Sequence, residues 1–365
     1  MKKYVPVLFV IIFLILMQVY MFPFWTGDVI YPGGKIELTN RITLPTYYYE
    51  AGNWINSQSE EFNLLYLPPQ AGTFRYVWNN TRYGGSDPLD EYIFNKPVII
   101  SSWEEPDQYG PYNFSWQVIE PLISSNVTGN LFCKMLTIMN IKYIILHNDF
   151  DPIFTPISTE QVKNDLNGQE GISLVKSFGE VDIFENMLWN ESAVYATPNA
   201  VLAQESLDNL TELGNFSVGK NIVFQSNQMK SGQLQFLEGL HQQNDAPPPQ
   251  ITFEKINPTD YVVHVNSTQP TFIVLSEYYD TGWTAYVNGV QVSGQNHFIA
   301  NVYTNAWYID NTGSFTVTIE FSPQRLVYIG EAISSATLVL CVLYLSNNKL
   351  KALFSHIKNK KSKFV

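Results

Sequence analysis

The chain has 365 residues, of which 45% are hydrophobic, 15% aromatic and 15% charged, and its formal net charge is −12. That acidic balance excludes nucleic-acid binding, which needs Lys and Arg to neutralise phosphates. The length allows two or three domains with ample cores, and so little charge leaves a surface of Asn, Gln, Ser, Thr and Tyr, as on a domain facing outside.

Lys2 and Lys3 open the chain, and residues 4–24 follow without a charge. Such a run is long enough to cross ~30 Å of hydrocarbon as a helix. A signal peptide is the rival reading, but Pro23, Phe24 and Trp25 stand where a small-x-small cleavage site would lie, so the run is expected to be an uncleaved anchor. Residues 47–57 are predicted to form a short helix with Tyr47, Ala51, Trp54 and Ile55 on one face. "FNLLYLPP" and "KPVIISS" predict strands, "NLFCKMLTIMN" a helix, and "IKYIIL" a buried strand directly after it. "ISLVKSFGEVDIFEN" predicts two strands about a Gly179 turn, and the alternation points to an α/β layer.

Composition changes at "HQQNDAPPPQ", a Pro-rich linker. Beyond it the pattern is all strand, with turns at short spacing, the signature of a small antiparallel β-sandwich. Asn288-Gly289 lies between two alternating runs and predicts a hairpin with a type I′ turn. Trp283, Ala285 and Val287 share one face of that hairpin, Thr284 and Tyr286 the other, and Gly282 before them suits a turn with a left-handed backbone. Residues 326–345 form a second apolar run, with Glu331 near one end and Gly330, Ser334, Ser335 and Ala336 as a small-residue face for another helix. Six lysines from Lys349 to Lys363 close the chain. Basic residues at both ends place both termini in the cytoplasm and the segment between them outside.

The fold class read from these patterns is an α+β membrane-anchored protein with one transmembrane helix at each end. Residues 1–24 are the anchor with a short cytoplasmic N-terminus, 25–242 an external mixed α/β domain, and 243–250 the linker. Residues 251–323 are the juxtamembrane β-sandwich, 326–345 the second span and 346–365 a Lys-rich cytoplasmic tail. Seven Asn-x-Ser/Thr sequons, at Asn79, Asn113, Asn126, Asn190, Asn209, Asn215 and Asn266, all fall in the external segment, where glycans can be attached. Cys133 lies in an apolar helix pattern and Cys341 in the second apolar run, so no disulfide joins the external domain.

Chemistry-bearing residues are few. No Ser/His/Asp order, P-loop or dinucleotide fingerprint is present, and neither a metal nor a cofactor is expected. His147, Asp149 and Asp151 in "HNDFDP" offer imidazole and oxygen ligands, but their spacing matches no metal loop and reads more simply as a polar loop after a buried strand. Trp307 and Tyr308, flanked by Asn305, Asp310 and Asn311, are either core residues or a platform for stacking sugars, and Tyr278 and Tyr279 are further candidates for glycan contact.

The stretch "LSEYYDTGWTAYVNGVQV" ahead of an apolar run and a lysine tail resembles the carboxy-terminal end of the YfhO-type membrane protein family. Leu275, Ser276, Glu277, Tyr278, Tyr279, Gly282, Trp283, Ala285, Val287 and Gly289 carry the match. "MNIKYII", "GEVDIFENMLWNESAVYA" and "EAGNWINSQSEEFNLLYLP" are similar to further segments of that family, in the same order. The resemblance implies a place among polytopic glycosyltransferases of the GT-C type, which use polyprenol-phosphate sugars and carry an acidic residue in the first external loop. Asp28 follows the first apolar run, as that carboxylate would. The family's bundle of membrane helices has no counterpart in this sequence. The expected function is therefore the non-catalytic external part of a YfhO-like envelope glycosyltransferase system, binding glycan, acceptor or lipid-linked sugar for a polytopic membrane partner. The alternatives are a stand-alone surface, adhesion or envelope-architecture protein, and a self-sufficient polyprenol-phosphate-sugar glycosyltransferase.

Overall fold

The computed structural model describes residues 5–22, 25, 43–70, 74–78, 81–85, 88–102, 130–155, 157–190, 193–203, 221–240, 248–301 and 303–361. Asp28, Asn79, Asn113, Asn126, Asn209 and Asn215 lie outside the described residues. Asn190 and Asn266 lie within them and are exposed.

Helix α1 (Val5–Tyr20) falls in the first apolar run. Helix α2 (Thr46–Asn56) then buries Tyr48, Ala51, Gly52 and Ile55. Strand β1 (Asn63–Gln70) leads to a hairpin of β2 (Phe74–Trp78) and β3 (Thr81–Gly85), which the sequence did not announce. A 3-10 turn at Leu89–Tyr92 precedes β4 (Val98–Ser102). Helix α3 (Leu131–Ile138) passes through Asn140, whose φ of 56° is tolerated by Asn better than by most residues, into β5 (Ile141–His147). Helix α4 (Thr159–Gly168) is capped by Ser158, whose side chain accepts from the Gln161 amide at 3.2 Å. Strands β6 (Ile172–Phe178) and β7 (Val181–Asn186) complete a five-stranded sheet in the order β4-β1-β5-β7-β6.

Strands β4, β1 and β5 run parallel, and β7 and β6 antiparallel. One face of this sheet packs Leu65, Leu67, Ile144 and Leu146 against α3 and α4. The other packs Leu64, Tyr66, Tyr143 and Ile145 against α2 and the β2–β3 hairpin. Covered on both sides, β5 is buried at every position, which is why it reads as an unbroken apolar run.

Strands β8 (Val194–Thr197), β9 (Asn199–Ala203) and β10 (Asn221–Gln225) and helix α5 (Ser231–Gly239) follow, with β9 and β10 paired in parallel. The remaining strands are β11 (Gln250–Asn257), β12 (Asp260–Ser267), β13 (Thr271–Tyr278), β14 (Trp283–Val287), β15 (Val290–Gln291), β16 (His297–Ala300), β17 (Thr304–Ile309) and β18 (Gly313–Phe321). They build a five-stranded sheet, β11-β12-β18-β14-β15, and a four-stranded one, β16-β17-β13-β8. Strand β8, from ahead of the Pro-rich stretch, pairs Val194–Thr197 with β13. Tyr261, Val263, Trp283, Ala285, Val317 and Ile319 of one sheet and Val194, Ile273, Leu275, Trp307 and Ile309 of the other form one hydrophobic cluster.

Asn288 (φ 48°) and Gly289 (φ 85°) both adopt positive φ, as a type I′ turn requires. Trp283, Ala285 and Val287 point inward as their alternation predicts. Gly282 needs a different explanation from the left-handed turn expected of it, because its φ is not positive. Its constraint is space: a Cβ there would come within 2.8 Å of both the Phe321 ring and Pro323. Gly282 O also accepts from the Ser322 amide at 2.8 Å and the Ser322 hydroxyl at 2.9 Å. Only Ser322 and Pro323 separate the end of β18 from helix α6 (Gln324–Lys361).

Among the described residues one helix is long and apolar enough to cross a membrane, the Gln324–Tyr344 part of α6, with mean hydropathy 2.0. Leu326, Leu338, Leu340 and Tyr344 there are all more than 60% exposed. A helix apolar all round and uncovered by protein suits a lipid environment, so the chain associates with a membrane.

Candidate functional site

The site grows from the end of β5. Alternation puts Tyr143, Ile145 and His147 on the face covered by α2 and the β2–β3 hairpin. His147 thus enters the core at the point where the strand gives way to the "NDFD" loop. Strand β2 lies along that loop: the Val77 amide donates to Asp149 O at 2.7 Å and the Asp151 amide to Arg75 O at 2.9 Å.

His147 is completely buried. Its ring stacks on Phe150 with centroids 4.8 Å apart and 7° between planes, and lies 4.5 Å from the Tyr66 ring. Nε2 stands 3.2 Å from Oδ2 of Asp90, itself fully buried in the 3-10 turn, and Nδ1 stands 3.4 Å from Oδ1 of Asp149. Burial alone would drive the imidazole neutral. The Asp90 charge first, and the close approach of both carboxylates, outweigh it and hold His147 up to about 9.

Asp149 is the junction of the cluster. Its Oδ2 accepts from Tyr47 OH at 2.7 Å, Tyr48 OH at 2.8 Å and Trp78 Nε1 at 2.8 Å. Burial would raise its pKa, but His147, Tyr47 and Trp78 reverse that and keep it below the usual carboxylate range. Tyr47 and Tyr48 are both pushed above the ordinary phenol value, first by burial and then by the Asp149 charge. The carboxylate therefore stays ionised, and the phenols stay protonated as donors to it.

Tyr47 and Trp78, each half-buried, are the walls of an open pocket of about 920 Å³ lined also by Asn148, Asp149, Asp151 and Glu180. Gly179 (φ 54°) closes one side against Tyr47; a Cβ there would come within 2.6 Å of that ring. Asn148 is fixed by its amide to Glu180 O at 2.8 Å and its side chain to Asp182 at 3.1 Å. The lining includes exposed Glu180, the nearly buried carboxylates of Asp149 and Asp151, the half-buried rings of Tyr47 and Trp78, and no Lys or Arg among the described residues. Such a wall is acidic and disfavours phosphate, Glu180 is its exposed acceptor for hydroxyl groups, and the two rings offer apolar faces. His147 sits behind Asp149 at zero exposure, so it holds the wall and cannot touch a ligand.

The structure thus joins His147 and Asp149 to Asp90, Tyr47, Tyr48 and Trp78, none of which the sequence had linked to them. Asp151 lines the pocket without joining a metal set; no group of three or more His, Cys, Asp or Glu suited to a metal is found among the described residues. The one sequence signal for this cluster was the parity of His147 with Tyr143 and Ile145.

The aromatic candidates near the C-terminus lie elsewhere. The stretch around Trp307 is strand β17, whose alternation turns Trp307 inward. At 1% exposure and stacked 4.6 Å from His297, it is core and offers no platform. Tyr278 packs on Tyr303 at 6.5 Å, and Tyr279 on His297 at 4.7 Å. Tyr308 is half-buried, set edge-on against Phe236 at 4.9 Å.

The family model of the alpha-(1->3)-arabinofuranosyltransferase N-terminal GT-C domain matches residues 2–222. Among solved structures, the cryo-EM structure of arabinofuranosyltransferase AftD from mycobacteria is similar, at 12% identity and a TM-score of 0.36. That match covers 87% of this chain and 32% of that chain. A mutant of the same enzyme matches at 12% identity and TM-score 0.36, over 86% of this chain and 34% of that one. The chain therefore spans about a third of the length of the structures it matches. No curated protein matches it.

Proposed function

This chain belongs to the family of the alpha-(1->3)-arabinofuranosyltransferase N-terminal GT-C domain, and on that premise we propose that it is the non-catalytic, acceptor-binding external part of an envelope glycosyltransferase system. The observation that carries this reading is the wall chemistry of the Tyr47–Trp78 pocket. The exposed Glu180 carboxylate, the acidic Asp149 and Asp151 behind the surface and the lack of any basic residue among the described lining suit a neutral glycan and disfavour the phosphate of a lipid-linked donor. His147, the natural candidate for proton transfer, is sealed from any ligand. Donor chemistry then falls to a polytopic membrane partner.

On this reading the chain is arranged as in YfhO-type proteins. Two spans, residues 4–24 and 326–345, hold both termini in the cytoplasm. The two C-terminal sheets form a juxtamembrane β-sandwich, and the sequons carry glycans outside. The test is titration of the full chain in detergent with neutral pentose and hexose oligosaccharides, with a polyprenyl-phosphate sugar in parallel. The neutral glycan should bind and Trp78→Ala should weaken it by roughly tenfold or more, the scale of one lost aromatic contact. Equal binding by Trp78→Ala, or preference for the phosphate ligand, would overturn the proposal.

A further inference from the structure

A second hollow, of about 410 Å³, opens at the tip of the Asn288–Gly289 hairpin. Three separate segments meet there: β15 with Gln291, the turn carrying Ser293 and Asn296, and the end of β17 with Tyr308, Asp310 and Asn311. Its volume is within the range of small-molecule sites.

Part of this lining is committed to the fold and part is open to solvent and to a ligand. Asn288 is used by the fold, its Oδ1 accepting from the Thr316 amide at 3.1 Å, and Ser293 Oγ accepts from the Gln295 amide at 3.3 Å. The side chains of Gln291, Asn296, Asp310 and Asn311 make no hydrogen bond among the described residues, although all four face one hollow. The Tyr308 ring is fixed beneath them, edge-on to Phe236 at 4.9 Å and to Phe272 at 5.3 Å. Asn288 and Gly289 at positive φ close a tight turn, which fixes this edge of the hollow.

We infer that this hollow is a second binding site for an uncharged saccharide unit, separate from the Tyr47–Trp78 pocket. Carboxamides bind vicinal hydroxyls well because each offers a donor and an acceptor side by side, and a carboxylate accepts two hydroxyl bonds. The half-buried Tyr308 ring beneath them contributes an apolar face and a hydroxyl. No Lys or Arg lines the hollow among the described residues, so it has nothing to pair with a phosphate or a uronic acid. Two neutral sites on one chain would hold an extended glycan by two points, the second at a high effective concentration.

The test uses the full chain in detergent and linear neutral pentose and hexose oligosaccharides of increasing length, read by saturation-transfer NMR and titration calorimetry. The double variant Gln291→Ala/Asn296→Ala removes only exposed or half-exposed amides and should melt like the parent. It should bind short oligosaccharides with one site in place of two, and long ones roughly tenfold or more weakly, from the lost hydrogen bonds. Trp78→Ala should remove the other site and leave this one, so the two failures are distinguishable. Unchanged stoichiometry and affinity in the double variant, or abolition of all binding by Trp78→Ala alone, would overturn the inference.

Discussion

His147 offers the sharpest prediction, because a fully buried imidazolium between two carboxylates ties folding to pH. Its value rises from the ordinary 6.5 to about 9 in the folded chain. The folded form therefore binds the proton more tightly than the unfolded one. The resulting stability is fully present below pH 6.5 and is lost as pH climbs through 9. A rise of that size corresponds to about 3 kcal/mol, a large share of the ~5–15 kcal/mol that holds a domain together. Asp149 titrates below its ordinary range and contributes nothing to this window. The raised phenols of Tyr47 and Tyr48 act only above about pH 10, the unfolded tyrosine value. His297, pushed down to about 4 by burial, acts at the opposite end, losing its contribution as pH falls from 6.5. Urea unfolding of the parent and of His147→Gln should be followed between pH 6.5 and 9. The parent should lose about 3 kcal/mol across that interval, whereas His147→Gln should be nearly flat and already less stable at pH 6.5. Parallel slopes for the two proteins would show that His147 is not charged in the folded state.

Two further outcomes follow from burial and from charge. Trp283, 7% exposed, and Trp307, 1% exposed, lie in the same cluster, so Trp283→Ala and Trp307→Ala should each cost about 3–5 kcal/mol in denaturant unfolding; a parent-like midpoint for either would remove it from the core. Topology is tested by single cysteines introduced at exposed Gln295 and at Lys360 in a chain lacking Cys133 and Cys341. A membrane-impermeant maleimide applied to intact cells should label the Gln295 site and spare the Lys360 site. Labelling at Lys360 would refute two spans with cytoplasmic ends.

The C-terminal strands were legible because their patterns are local. Alternation fixed the inward face of Trp283, Ala285 and Val287, and Asn288-Gly289 announced its own turn. The unbroken apolar run of β5 likewise told of a strand covered on both faces. Trp307 stayed open between core and platform because its flanking polar residues resemble a surface loop. Asn305 is in fact fully buried, its side chain donating to the carbonyls of Glu277 and Tyr278 at 2.8 and 3.0 Å. The His147 cluster was hidden for another reason. Asp90, Tyr48 and Trp78 come from three segments far from His147 in sequence, and only the layering of α2 and the hairpin on the sheet brings them together. No spacing rule encodes such a meeting. Gly282 shows the same limit, since a glycine needed for space and one needed for φ look alike in a sequence.

The Gly282 junction also makes the chain a mechanical element. With Ser322 doubly bonded to Gly282 O, and Pro323 and Phe321 packed where a Cβ would be, α6 leaves the sheet without a flexible joint. Its 38 residues make a rod roughly 57 Å long, and a tilt of about 10° displaces its far end by about 10 Å. Tilts of this size are within the ordinary range for helices in bilayers. A force on the far end of α6 would therefore arrive as torque on β14 and β18, and a pull on the two sheets would be felt as a swing of the lysine-rich end.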